Sequence, residues 1–459
     1  MQERERLGSR LGFILLSAGC AIGMGNVWKF PYMTGQYGGA IFVLFYIAFL
    51  ILLGLPVMTI EFSMGRASQK SPVRMYQELE PKGSKWHIHG IVSYVANWFL
   101  MMFYTVVTGW MFYYFIQMVS GKFVGMDADS IGNVFGELTM DYKTMTIYMA
   151  VVVVLGFLVI SFGVQKGLEK VTKIMMIALL ALMLILAVYS CTLQGGSEGI
   201  KFYLLPSTEN IKDAGLFEVI VGAMNQAFFT LSLGIGSMAI FGSYIGKERS
   251  LTGEAVNVII LDTFVALVAG LIIFPACASF GVDAGAGPSL IFITLPNIFA
   301  NMAGGRIWGS LFFIFMSFAA FSTILAVFEN ILACSMELFN WSRKKAAVIC
   351  GIIMFVLSLP CIFGFNIWSG FQPLGEGTGV MDLEDFFVSN LALPIGSLCF
   401  VLFAVLKKGW GWDNFIKEAD EGEGIKLPKW RWFKGYIKYV LPAIIIFTFC
   451  LGIYNLFFK

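Results

Sequence analysis

Charge is what this 459-residue sequence has least of: Asp, Glu, Lys and Arg together make up 13% of it, against 58% hydrophobic residues. A soluble domain carries about twice that share of charge, and the mean hydropathy of +0.79 puts the chain among polytopic membrane proteins. Histidine is nearly missing; the two present, His87 and His89, sit in WHIHG with no Cys or acid beside them and read as a solvated loop rather than a metal site. The eight cysteines show no CxxC spacing and lie mostly within apolar runs, so a zinc or disulfide framework is not expected and they read as packing residues. Nothing resembles a nucleophile with its base or a Walker loop, which leaves an enzyme without chemistry.

What is there is apolar sequence in blocks of about 20 residues, the length that crosses a bilayer. Eleven such blocks are centred near residues 22, 52, 104, 152, 179, 229, 267, 322, 354, 395 and 447. An odd number predicts termini on opposite sides. With the N-terminus inside, the segments on that side hold 24 Lys and Arg against 6 on the other, an asymmetry that predicts a cytoplasmic N-terminus and an external C-terminus. No signal peptide is expected, because the first apolar run has no small-residue cleavage site.

Two of the blocks are built to break. In Ser17–Pro31, SAGCAIGMGNVWKFP, Gly19, Gly23 and Gly25 occupy positions where a membrane helix is normally regular, with Pro31 just beyond Asn26. Glycine costs about 1 kcal/mol in a helix interior, and backbone groups freed in lipid cost several more unless something binds them. The sixth block repeats the anomaly: Ser232-Leu233-Gly234-Ile235-Gly236 follows Gln226 and Thr230 as Ala21-Ile22-Gly23-Met24-Gly25 follows Gly19. The two breaks are five blocks apart, so the halves enter from opposite sides. That predicts an all-α polytopic membrane protein of eleven helices with a five-plus-five inverted repeat, helices 1 and 6 unwound, and ions or a polar substrate at the breaks. The expected divisions are 1–194 and 195–406 for the repeats and 407–459 for a cytoplasmic loop and the last helix.

Polar residues inside the other blocks point the same way. Asp262 in VIILDTF calls for a cationic partner, Ser322 and Thr323 are adjacent hydroxyls among small residues, Glu61 must face protein or water, and Glu329 lies deeper toward the cytoplasm. Glu61 is expected to order the second break and Glu329 to line an inner vestibule. Asp382, Glu384 and Asp385 form an acidic outer rim, where Lys29 would pair with Asp385. Oxygen-rich, sulfur-free surroundings suit hard cations such as sodium.

The motifs GNVWKFP, QAFFTLSLGIG and FAAFST, in that order on these blocks, make the chain resemble the neurotransmitter:sodium symporters, most closely their eleven-helix bacterial amino-acid transporters, from Arg4 to about residue 405. The resemblance implies a first sodium site at the Ala21 carbonyl, Asn26, Thr230 and Asp262. It implies a second at the carbonyls of Gly19, Ile22 and Ala319 with the hydroxyls of Ser322 and Thr323. Substrate would be held by Ala21, Gly23, Gly25, Tyr104 and Thr230, within walls from Leu100, Phe229, Ser232, Ile235, Ala326 and Val327. Trp28 and Lys29 with Asp385 would form the outer gate, and Arg4 with Glu337, near Ser243 and Tyr244, the inner one.

The same resemblance implies sodium-coupled symport of a hydrophobic L-amino acid by alternating access in a bacterial inner membrane, by a monomer or weak dimer with no nucleic-acid partner. Monoamine carriers of the family place an aspartate where this chain has Gly23, so the substrate here should bring its own carboxylate. Chloride-dependent relatives have asparagine at the Asp262 position and serine at that of Ala266, so chloride should not be required. Leu7 stands where many relatives have an inner-gate tryptophan, and Ile177 where some have a proline that unwinds helix 5. A channel or a sodium-driven exporter on the same fold is the alternative transport reading, and a non-transporting amino-acid receptor or scaffold is the alternative from another class.

Overall fold

A computed structural model describes residues 5–207, 215–282 and 290–458. Among the described residues the fold is helical throughout, and extended pairing is confined to one isolated bridge, Arg249 to Glu423. Among the described residues nine helices are long and apolar enough to cross a membrane: Ala40–Ser68, His87–Ser120, Tyr142–Ser161, Val164–Cys191, Leu251–Ser279, Gly305–Phe339, Arg343–Gly364, Val380–Val405 and Arg431–Tyr454. The pair Arg10–Ala21 and Gly25–Gln36 passes the same test of length and composition together, bent by 54° at its break, and counted as one span it is a tenth. The expected sixth block is divided more sharply, into Leu216–Thr230 and the six-residue Ser237–Gly242, so it does not qualify by length as one span.

Proline placement explains much of the local geometry. Proline lacks an N–H and its ring crowds the carbonyl four residues back, which in lipid leaves that carbonyl without a partner. Five widened π-turns, Gly25–Lys29, Leu50–Gly54, Leu290–Thr294, Phe387–Ala392 and Tyr436–Val440, each end two residues before a proline: Pro31, Pro56, Pro296, Pro394 and Pro442. The extra residue makes room for the ring while the helix continues. At Pro56 the freed Leu52 carbonyl accepts the Tyr436 hydroxyl at 2.7 Å, so the last helix satisfies what the proline leaves open.

Gly305–Phe339 is the most buried of the spans and lies at the centre, packed on His87–Ser120, Arg10–Ala21 and Val164–Cys191. Arg431–Tyr454 is peripheral and mostly faces outward. The two ends of the bundle differ. At one, aromatic rings close around Phe292, with Phe135, Tyr114 and Trp110 at 5.0, 5.2 and 5.6 Å and Trp28 at 6.2 Å. At the other, a cavity of ≈ 1440 Å³ opens among polar residues including Lys70, Arg74, Glu337 and Arg343. Beside it Arg66 is fully buried: its Nε donates to Glu418 Oε1 at 2.6 Å, Nη1 to the Arg249 carbonyl at 2.7 Å and Nη2 to the Glu418 carbonyl. That fork ties the end of Ala40–Ser68 to the amphipathic helix Trp412–Ala419. His87 is also held, its Nδ1 lying 2.6 Å from Glu80.

Candidate functional site

The first break leaves the helix after Ala21 with Ile22 extended, at φ −72° and ψ 94°. Side chains take up the freed backbone. Met24 N donates to the Tyr104 hydroxyl at 3.1 Å, Gly23 N to Asn26 Oδ1 at 3.3 Å, and Gln226 Nε2 donates to the Gly25 carbonyl at 2.7 Å. A Cβ at Gly23 would overlap the Tyr104 hydroxyl and Thr323 Oγ1, so any larger residue requires those side chains to shift.

The second break runs from Leu231 to Gly236, with Ser232, Gly234 and Gly236 at φ +50°, +94° and +75°. Left-handed backbone is costly for any residue but glycine, and here polar groups pin it. Gly234 N donates to Glu61 Oε1 at 2.6 Å, and Asn97 Nδ2 to the Ile235 carbonyl at 2.8 Å. Asn330 Nδ2 donates to Asn97 Oδ1 at 3.2 Å. Glu61 therefore occupies the expected place, whereas Asn97 and Asn330 were passed over although an amide within an apolar span is itself a signal.

Two polar clusters flank the first break. In one, Asn26 Nδ2 donates to Asp262 Oδ1 at 2.8 Å and to its backbone carbonyl at 3.1 Å, Tyr46 OH lies 3.3 Å from Oδ2, and Thr230 Oγ1 3.4 Å from Oδ1. All four residues are buried. Tyr46 is the member that sequence reasoning missed. In the other, Ser322 Oγ donates to the carbonyls of Ala319 at 2.9 Å and Ile22 at 3.4 Å, while Thr323 Oγ1 lies 3.3 Å from those of Gly19 and Cys20. Both clusters are made of oxygens from carbonyls, hydroxyls, an amide and one carboxylate, the donor set of a hard monovalent cation. No group of three or more His, Cys, Asp or Glu able to hold a metal ion occurs among the described residues.

Between them is a small cavity of ≈ 20 Å³, about the room of one water. Of the expected lining residues, Ala21, Gly23, Gly25, Leu100, Tyr104, Phe229, Ser232 and Ile235 border it. Thr230 points to Asp262 instead, and Ala326 and Val327 are fully buried outside the lining; Val388 and Leu393 take that part of the wall.

The gates differ from expectation in their pairings. Lys29 Nζ lies 3.8 Å from the centroid of the Phe229 ring, and Asp385 Oδ1 accepts from Ser389 at 2.7 Å, so the Lys29 to Asp385 pair is not formed. A half-buried ammonium gains from an aromatic face where no carboxylate reaches it. Of the expected inner-gate residues, Arg4 lies outside the described residues. Glu337 accepts from Ser71 N and Oγ at 3.0 and 2.7 Å, and Ser243 Oγ donates to the Ile240 carbonyl at 2.6 Å. Tyr244 OH donates to Glu329 at 2.7 Å, and Arg343 grips the same carboxylate with both Nη atoms at 2.8 Å. Glu329 is thus buried behind Tyr244 and Arg343, which line the cavity that Glu329 itself does not reach. Leu7 N donates to the Tyr244 carbonyl at 3.2 Å, and Gly8 N and Ser9 Oγ to Glu169 at 2.7 and 2.8 Å. The N-terminal segment is latched by its backbone and small polar groups, without a tryptophan.

The family described as "Sodium:neurotransmitter symporter family" matches residues 4–130 and 135–458. The chain is 33% identical over 449 residues to the uncharacterized sodium-dependent transporter YhdH of Bacillus subtilis (strain 168), covering 98% of this chain and 97% of that one. It is 30% identical to an uncharacterized sodium-dependent transporter of Haemophilus influenzae, with 99% of each chain covered. The crystal structure of MhsT in complex with L-phenylalanine superposes with a TM-score of 0.87 at 35% identity, covering 98% of this chain and 100% of that one.

Proposed function

This chain belongs to the sodium:neurotransmitter symporter family, and from that premise we propose that it carries a hydrophobic L-amino acid across a bacterial inner membrane coupled to sodium, with two sodium sites and without chloride. Sodium-coupled membrane transport, rather than catalysis, is the business of the family. The finer reading is carried by one observation: the Asp262 carboxylate is buried beside a broken helix, bonded to Asn26, Tyr46 and Thr230, with no Lys or Arg paired to it among the described residues. A buried carboxylate without a basic side chain is stabilised by a bound cation. It also supplies by covalent attachment the negative charge that chloride would otherwise bring.

The substrate follows from Gly23 and the walls. No acid stands at Gly23 to meet an amine, and one could enter only by displacing Tyr104 and Thr323. The transported molecule therefore brings its own carboxylate to the Ala21 side of the first sodium, with Tyr104 as a hydrogen-bond donor and the break carbonyls for the amine. Leu100, Ile235, Val388 and Leu393 favour an apolar side chain. MhsT, with L-phenylalanine bound, is a relative whose ligand is of this class. The small cavity must expand to admit it, and alternating access does so by rocking the two broken helices against the rest, as five-helix halves 1–194 and 195–406. The 24-to-6 asymmetry of Lys and Arg supports a cytoplasmic N-terminus and an external C-terminus.

The test is uptake of a labelled amino-acid mixture into proteoliposomes under an inward sodium gradient, with choline replacing sodium in one arm and gluconate replacing chloride in another. Accumulation above equilibrium that needs sodium, survives in gluconate and selects apolar amino acids is expected. Uptake of charged amino acids alone would remove the substrate assignment, loss in gluconate the role given to Asp262, and saturable binding without accumulation would favour a receptor on this fold.

A further inference from the structure

We propose that the segment Ile425–Tyr439 is a binding surface for anionic phospholipid headgroups at the Lys- and Arg-rich face of the membrane. Its sequence, IKLPKWRWFKGYIKY, holds Lys426, Lys429, Arg431, Lys434 and Lys438 and no acid. The first four are exposed, and among the described residues none of the five forms an ion pair. Of the carboxylates nearby, Glu418 is engaged by Arg66, Glu421 by Lys247 at 3.0 Å and Glu423 by Arg249 at 3.6 Å, while Asp420 accepts from Leu427 N at 2.9 Å and forms no ion pair with the five. Five cations are thus left unneutralised by protein, beside neighbours that are paired.

The depth of the surface is fixed. Phe433 and Ile437 are buried, and the Tyr436 hydroxyl is bonded to the Leu52 carbonyl of the second span. The helix runs on from there through outward-facing Ile446 and Phe447. Trp430 and Trp432 point outward with 62% and 61% of their surface exposed, their rings 5.5 Å apart. Indoles settle at headgroup level, which puts the flanking cations where lipid phosphates lie. Lys434 is steadied over the Trp412 ring at 5.6 Å, and Arg431 offers a planar fork matched to phosphate oxygens. A zwitterionic headgroup would leave this charge uncompensated, so the occupant is an anionic lipid.

The purified full chain in neutral detergent is titrated with phosphatidylglycerol, phosphatidylethanolamine or inorganic phosphate, reading the unfolding midpoint and the lipid retained in native mass spectra. Phosphatidylglycerol is expected to be retained and to raise the midpoint. K429Q/R431Q/K434Q should weaken its affinity by about fivefold per charge, about 100-fold in all. The charge-keeping K429R/R431K/K434R should retain it, as should K122Q/K143Q/K201Q, which lie outside the segment. Wild-type affinity in the neutralised triple variant, equal retention of phosphatidylethanolamine, or equal protection by inorganic phosphate would overturn the proposal. If the neutralised variant fails to fold, the wild-type protein decides: affinity for phosphatidylglycerol must fall with added salt, and a flat salt dependence rejects the surface.

Discussion

The two oxygen clusters beside the first break share a backbone but not a chemistry. The one at Asp262 has a carboxylate side chain, an amide that donates into it and a tyrosine at its edge. The one at Ser322 and Thr323 is neutral, two hydroxyls donating to carbonyls of the broken helix. A cation at the charged position is held by electrostatics that persist through small movements, because Coulomb attraction in a buried site declines slowly with distance. One at the neutral position depends on several dipoles pointing inward together, and sliding Gly305–Phe339 against Arg10–Ala21 by a fraction of a turn would dismantle it. The charged position should thus set affinity and substrate coupling, and the neutral one the ease of release.

The largest expected effect breaks the charged side of this contrast. Asp262→Asn should cut sodium affinity by about 100-fold, the equivalent of about 3 kcal/mol for a buried charge losing its counterpart, read as the sodium dependence of uptake. Adding Ala266→Ser should make the remaining transport respond to chloride; indifference to both changes would contradict the assignment. Next, Ser322→Ala with Thr323→Ala should weaken sodium by about 10-fold per hydroxyl and lower the steepness of sodium activation while leaving amino-acid affinity at saturating sodium nearly intact. A parallel loss of both affinities would show that the two positions are not separate. Tyr46→Phe removes one hydrogen bond to Asp262, worth about 1 kcal/mol, and should shift sodium and substrate affinity together by about fivefold; an effect on sodium alone would move Tyr46 to the neutral side. Lys29→Gln should do least, about twofold in maximal uptake, because its partner is a ring face worth about 0.5 kcal/mol rather than Asp385. A tenfold loss would mean that the pair with Asp385 forms during the cycle.

Both breaks could be read from glycine and serine where a span should be regular, because the cost of interrupting a helix in lipid is local and appears in the sequence. Asp262, Ser322 and Thr323 were legible for the same reason: a polar side chain among apolar ones announces itself. Partners were harder. Tyr46 looks like any aromatic in an apolar run, and only the packing of its helix against Leu251–Ser279 brings its hydroxyl to Asp262. Lys29 and Asp385 were matched by sign and membrane side, which says nothing about reach. The division of the sixth block into a 15-residue and a six-residue piece lay beyond apolar counting, since hydropathy runs on across the turn.

The buried fork of Arg66 also has a history in time. Its carboxylate partner, Glu418, lies 352 residues further along the chain. At roughly 10 residues per second of synthesis, a guanidinium that ends with no exposed surface waits about half a minute for its counter-charge. Through that interval most of the spans are threaded into the bilayer while the end of the second one must stay wet. Completion of this face of the bundle is therefore one of the last events of biogenesis, and a chain stopped short of Glu418 would present an unsatisfied arginine to whatever surveys unfinished membrane proteins.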